Sequence, residues 1–280
     1  MAYDLGYFGP HSVTWRLHSD PVLWMGGLRA LFLQALHPLA MAGVEQHSGF
    51  RTDPWGRLFR TADYVGVTTY GTRAEADRAA ARVRGRHRRY RAVEPESGVE
   101  FAVDDPDLLL WVHCCEVDSF LTVARRGGLR LSAADADRYV AEQTRAARLV
   151  GIPDGAAPRT VAALTAYFER MRPELRLTRA ARQAARFVLV PPLPLAARLA
   201  TPARPAWIGV AGLAFALLPG WARRLYRLPG LPTTDLGATA AVLALRTALR
   251  TLPPPLREGP HYRKAKARLA TTPVRRLEAV

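Results

Sequence analysis

Apolar residues return every three or four positions along most of this chain, the spacing of a helix face. Residues 20–36 read as an apolar helix stopped at His37-Pro38. Thr72-Arg73-Ala74-Glu75 forms a capping-box pattern, in which the threonine oxygen accepts the third amide and the glutamate reaches back. It opens a helix of about 18 residues. Asp105-Pro106 starts another, with proline where a missing N–H costs nothing, and it runs to Gly127-Gly128. Ser132 caps a helix that ends at Gly151. Further helices are predicted from Pro158 to near Arg172-Pro173, from Thr178 to Pro191-Pro192, and over 207–218 and 235–252. Strand signals are thin. VGVTTYG at 65–71 is β-branched and GVEFAV at 98–103 alternates, which leaves room for one small hairpin. The expected fold class is all-α: a single globular domain of eight or more helices over 1–255, then a basic, Pro-rich surface arm over 256–280.

Composition adjusts this picture little. The chain has 280 residues, 49% of them hydrophobic, enough for one large domain with a real core or two small ones. Its formal net charge of +16 suggests a polyanion binder. Only Lys264 and Lys266 are lysines, however, and the arginine, alanine and proline excess reads as GC-rich coding as much as function. Cys114 and Cys115 are adjacent and no second pair could complete a metal knuckle, so the chain needs no oxidising compartment. The N-terminus lacks a basic start followed by an apolar core, so no signal peptide is expected and a cytoplasmic location is. The stretch WIGVAGLAFALLPGW at 207–221 is broken by Pro219-Gly220 and falls short of the roughly 20 residues a span needs. A buried helix is expected there, with contact to a membrane surface left open. The pattern does not fix an oligomeric state.

Four stretches carry candidate chemistry. RVRGRHRRYR at 82–91 holds six arginines and one histidine. Helical spacing surrounds His87 with Ala76, Ala80, Val83 and Tyr90, an apolar stripe. Arg82, Arg86, Arg88 and Arg89 fall mostly off that stripe, and Arg84 and Arg91 flank the imidazole. His87 is therefore expected to face inward, either as a hydrogen-bonded core residue or as a ligand. Arg57, Arg60, Thr61 and Tyr64 stand at i, i+3, i+4 and i+7, one face that is either solvated or lines a pocket with fixed donors. In LLLWVHCCEVDSFL at 108–121, His113 sits among Leu109, Leu110, Val117 and Phe120 on a helix apolar nearly all round. His113, Glu116 and Asp118 then need partners inside. Finally His37, His47, Ser48, Arg51 and Asp53 form either a capping cluster or a pocket wall.

The chain has no G-x-S-x-G, no G-x-G-x-x-G, no P-loop and no H-E-x-x-H. The one Glu-x-x-His, Glu258 to His261, lies in the Pro-rich tail. Dispersed buried histidines without carboxylate pairs suit haem ligation better than a naked metal ion.

The run LQALHPLAMAGVEQHS…RTDPWGRLFRTADYVGVTTYG, then RVRGRH, then LLLWVHCCEVDSFL resembles the mpaB-type oxygenases, whose haem-binding domain is shared with the latex-clearing rubber oxygenases. DADRYVAE, LVGIP, PRTVAAL, PPLPLAARLA and LLPGWARRLYRLPGLP fit as well, so the resemblance covers nearly the whole chain. It implies an all-helical fold holding haem b, a helix histidine on the iron, and a distal segment of the form Arg-x-x-Lys-Thr. Arg57 to Thr61 matches that segment, with Arg60 in the lysine position. A guanidinium stays protonated, so Arg60 cannot ligate iron and can only donate hydrogen bonds, which puts rubber-type cleavage in question. On this resemblance His87 is the metal ligand, His113 the second candidate, and Arg84 and Arg91 partners for haem propionates. Arg57, Arg60, Thr61 and Tyr64 form the catalytic distal face. The implied partners are dioxygen and a small apolar substrate, isoprenoid or olefinic in class, with no nucleic acid. Three other readings stay open: a haem sensor or carrier without turnover, a basic helical nucleic-acid binder, and a scaffold that has lost cofactor binding.

Overall fold

A computed structural model describes residues 4–192 and 203–270. In chain order its helices are α1 (Val13–His18), α2 (Leu23–Gln34), α3 (Pro38–His47), α4 (Pro54–Tyr70), α5 (Arg73–His87), α6 (Pro106–Arg126), α7 (Ala133–Val150), α8 (Val161–Met171), α9 (Arg179–Leu189), α10 (Ala203–Ala216), α11 (Gly220–Leu225), α12 (Thr234–Thr251), α13 (Pro254–Arg257) and α14 (Pro260–Ala270). Strands β1 (Arg91–Val93) and β2 (Glu100–Ala102) pair antiparallel between α5 and α6, with Ala92 opposite Phe101. The described residues form an all-α fold carrying that one hairpin.

The apolar run 108–121 becomes the spine. Asp105 caps α6 by accepting from the Asp107 and Leu108 amides, and Pro106 takes the first turn. Trp111, Cys114, Cys115 and Val123 are buried on α6, which packs most extensively against α2. The two backbones approach closely at Gly26, where a Cβ would stand 2.7 Å from the Phe120 ring and 3.1 Å from its Cα. A polar pin holds the same pair. Arg29 of α2 donates to Asp118 at 2.8 Å, to the Ser119 hydroxyl at 2.7 Å and to the Leu217 carbonyl at 2.9 Å. Elsewhere Arg246 of α12 pairs with Asp20 at 2.7 Å in the interior. Cys114 and Cys115 are free thiols, and burial pushes both well above their ordinary range.

Two expectations are corrected. VGVTTYG is not a strand: α4 runs through it to Tyr70. The Thr68 hydroxyl donates back to the Tyr64 carbonyl at 2.8 Å, and Gly66 leaves space for the His261 ring, so tertiary packing overrides the β-branched preference. The segment expected as a surface arm folds back over its described part. Helix α14 packs on α4, Ala265 is buried against Trp15 and Tyr70, and His261 lies 2.7 Å from Asp63. Most of PPLPLAARLA and residues 271–280 lie outside the described residues. Among those described, no helix is long and apolar enough to cross a membrane.

Candidate functional site

Helices α4, α5 and α6 carry the predicted site residues. Asp53 caps α4 by accepting from the Gly56 amide at 2.9 Å, and Pro54 fills the first turn. Two turns apart on that helix, Arg57 and Tyr64 are half-buried, while Arg60 and Thr61 are exposed. Arg60 reaches back to Asp53 at 3.0 Å, and the Thr61 hydroxyl donates to the Arg57 carbonyl at 3.0 Å. The expected four-residue donor face therefore splits, because capping and back-bonding hold its middle pair at the surface.

The Arg57 guanidinium has no hydrogen-bond partner among the described residues. Burial and the neighbouring Arg60 lower its pKa, and Glu116 opposes them. The Tyr64 hydroxyl is buried without a partner. Burial first, and Glu116 second, raise its pKa, against Arg84.

On α5 the capping box of Thr72 and Glu75 is formed. Ala76 and Ala80 are fully buried beside Leu149 and Tyr64. His87 is half-buried at the last turn, and its Nδ1 is buried with no hydrogen-bond partner. Burial lowers its pKa, with Asp104 opposing, so the ring is neutral at pH 7. Arg84 is half-buried beside it and donates to the Leu149 carbonyl at the end of α7. Arg82, Arg86, Arg88 and Arg89 are exposed. Arg91 departs from the sequence reading: α5 ends at His87, so Arg91 opens β1, exposed and off the helical spacing. Tyr90 likewise leaves the stripe and stacks on His47 with centroids 4.4 Å apart.

His113 is buried on α6, its pKa pushed down to about 4 by burial, and no described residue hydrogen-bonds its ring. One turn on, burial pushes the Glu116 carboxyl up to about 7, against a Gln34 hydrogen bond and the Arg57 charge. Glu116 is felt by Arg57, Tyr64 and Tyr139, so α2, α4 and α7 converge on it. Sequence reasoning marked Glu116 as a polar group needing partners and went no further. A charged residue in an otherwise apolar helix was the available signal. The fourth stretch does both things expected of it: His37 accepts from the Ala40 amide to start α3 and Arg51 contacts Glu45 and Gln183, while Met41, Val44, Phe50 and Trp55 from the same stretch line a pocket.

An apolar pocket opens between α2, α3, α4, α6, α9 and α10, with walls that include Leu31, Met41, Trp55, Val112, Phe187 and Trp207. Its free space is about 800 Å³ when the open solvent at its mouth is included. Among the described residues of the wall, Arg57 is the one charged group and Gln34 the one amide side chain. Tyr64, His87 and His113 do not line it. Arg57 thus joins the pocket to the Glu116 region. Among the described residues no group of three His, Cys, Asp or Glu could hold a metal ion.

The family model described as ER-bound oxygenase mpaB/B'/Rubber oxygenase, catalytic domain, matches residues 15–253. The chain belongs to this family. The matched span contains every site helix and the whole pocket wall, and it ends before α13 and α14. The comparisons with curated proteins and with solved structures return no match. As a member of an oxygenase family, the chain carries an oxidoreductase-type domain. In this mpaB/rubber-oxygenase domain the pocket-wall residues Trp55, Phe187 and Trp207 were not legible from sequence, because α4, α9 and α10 meet only in the fold.

Proposed function

We propose that this chain is a haem b-dependent oxygenase that uses dioxygen to oxidise a small apolar substrate, olefinic or isoprenoid in class. The observation that carries the reading is the unpartnered Nδ1 of His87, together with the unpartnered Tyr64 hydroxyl on the neighbouring helix. A buried polar atom without a partner costs about 1–3 kcal/mol, so two on adjoining helices call for a group that meets them. The residues fit a haem. His87 is neutral and keeps a lone pair for iron, as a ligating imidazole must. His113, equally neutral, is the alternative ligand. Arg84, half-buried three residues before His87, would have to share its bond to the Leu149 carbonyl with a propionate, and the exposed Arg91 could serve only at the rim. Bound there, haem would supply the redox chemistry with dioxygen that no side chain provides.

The chain's own residues would do the rest. Apolar walls take up a hydrocarbon by burial and keep water out. Arg57, the charged group in that wall, would orient the substrate's reacting end by donating N–H bonds. Glu116, with its carboxyl near 7, could hold or release a proton at neutral pH, and Tyr64 adds a hydroxyl donor. Arg60 and Thr61 face solvent and enter this reading only at the rim.

The test is the absorption spectrum of protein expressed with haem supplied. A Soret band that His87→Ala abolishes and His113→Ala keeps is the expected result. The reverse pattern moves the ligand to His113, and no band in the unmodified protein ends the haem reading. Steady dioxygen consumption with a small olefin separates turnover from carriage.

A further inference from the structure

A shallow groove runs between α9, α10 and the segment after α11. Arg182, Arg186 and Arg227 line it together with Leu189, Phe215 and Leu228. None of the three guanidiniums has an ion-pair partner among the described residues. That sets them apart from Arg29, Arg223 and Arg246, whose buried guanidiniums are each tied to a carboxylate. The surrounding sequence explains the imbalance. Residues 176–257 contain twelve arginines and one acid, Asp235, which Arg223 and Arg126 already hold.

Beside these free cations the surface turns apolar. Leu228 and Leu231, on the loop into α12, are 58% and 74% exposed, and Leu236 at the start of α12 is 74% exposed. Further along α12, Ala240, Leu243, Ala244 and Thr247 are exposed on the same helical stripe. Arg246 is the one charge between Leu236 and Leu249, and it points inward. Exposed leucines are unfavourable in water, and a run of them beside unpaired arginines matches one environment well. At a lipid interface leucines enter the acyl boundary while guanidiniums grip phosphates.

We infer that the groove lined by Arg182, Arg186 and Arg227, with the leucine tips of the α11–α12 loop and α12, docks on the surface of a bilayer containing anionic phospholipid. Charge complementarity favours this occupant over a second copy of the chain. A two-fold contact through this face would set its arginines against their own counterparts, with a single acid per copy to relieve them. Helices α9 and α10 also wall the apolar pocket through Phe187, Val188 and Trp207, on the side of α9 turned away from Arg182, Arg186 and Leu189, so the docking stands independently of the proposed function.

The experiment is flotation of the full chain with vesicles of phosphatidylcholine alone or mixed with phosphatidylglycerol. Binding is expected to the mixed vesicles and to weaken as salt rises. Arg182→Glu with Arg186→Glu, and separately Leu228→Ser with Leu231→Ser, should each cut binding at least about tenfold while keeping the helical circular dichroism. No binding to mixed vesicles overturns the inference. So does binding that neither double variant changes, or a dimer that Leu228→Ser with Leu231→Ser dissolves while vesicles are ignored. The Soret band of the same preparations reports the haem reading separately, so one can fail without the other.

Discussion

Glu116→Gln is the substitution whose effect the structure fixes most tightly. Burial moves this carboxyl from its ordinary 4.5 to about 7 in the folded chain, with Gln34 and Arg57 opposing and Tyr64 and Tyr139 nearby. A raised folded pKa means the folded state binds the proton more tightly than the unfolded chain does. The stabilisation is fully present below about pH 4.5 and drains away as pH climbs to about 7. At about 1.4 kcal/mol per decade the full loss is on the order of 3 kcal/mol. Glu116 keeps some contact with solvent, which brings the expectation to about 2–3 kcal/mol. Glutamine keeps the shape and hydrogen bonds and removes the charge. Urea unfolding of both chains at about pH 4 and about pH 8 should show the glutamine variant gaining that much on the parent between the two conditions. Comparing the two chains cancels the buried histidines, which pull the other way. His18 at about 3 and His113 at about 4 lose stability as pH falls below their ordinary 6.5. A gap constant to within about 0.5 kcal/mol would mean the carboxyl is not buried as described.

Asp20→Ala strands the Arg246 guanidinium in the interior and should cost about 3–5 kcal/mol in urea unfolding; a loss below about 1 kcal/mol would mean water already reaches the pair. Gly26→Ala drives a methyl to 3.1 Å from the Phe120 Cα, for a loss of about 1–3 kcal/mol. Gly27→Ala, with nothing within 4 Å, should be neutral or stabilising by the same measurement. Thr72→Ala removes the oxygen that caps α5 and should lower the unfolding midpoint by the equivalent of about 1 kcal/mol.

What could be read from sequence was local chemistry. Thr72 with Glu75 set the start of α5, Asp105 with Pro106 the start of α6, and Ser132 with Gly151 both ends of α7, within a residue or so, since each cap is completed by neighbours in the chain. The β-branched run 65–69 misled for the opposite reason: whether Val65 to Thr69 coil depends on α14, which arrives from nearly two hundred residues away. The site shows the same division. Inward placement of His87 follows from its spacing to Ala76 and Ala80. The outward turn of Arg60 and Thr61 depends on Asp53 and on a back-bond to Arg57, which face periodicity alone does not encode. Arg91 could be assigned beside His87 only while α5 was taken to run past its true end. The pocket is illegible in principle from one strand of text, because six helices bring its walls together.

The neighbouring thiols of Cys114 and Cys115 give the molecule its own clock. Sealed in the spine and held in the protonated form, they are inert toward alkylating reagents while α6 stays packed on α2. Every labelling event therefore counts an excursion in which that interface has parted. The speed with which a thiol reagent consumes the pair measures how often the protein opens, with no dye or tag attached.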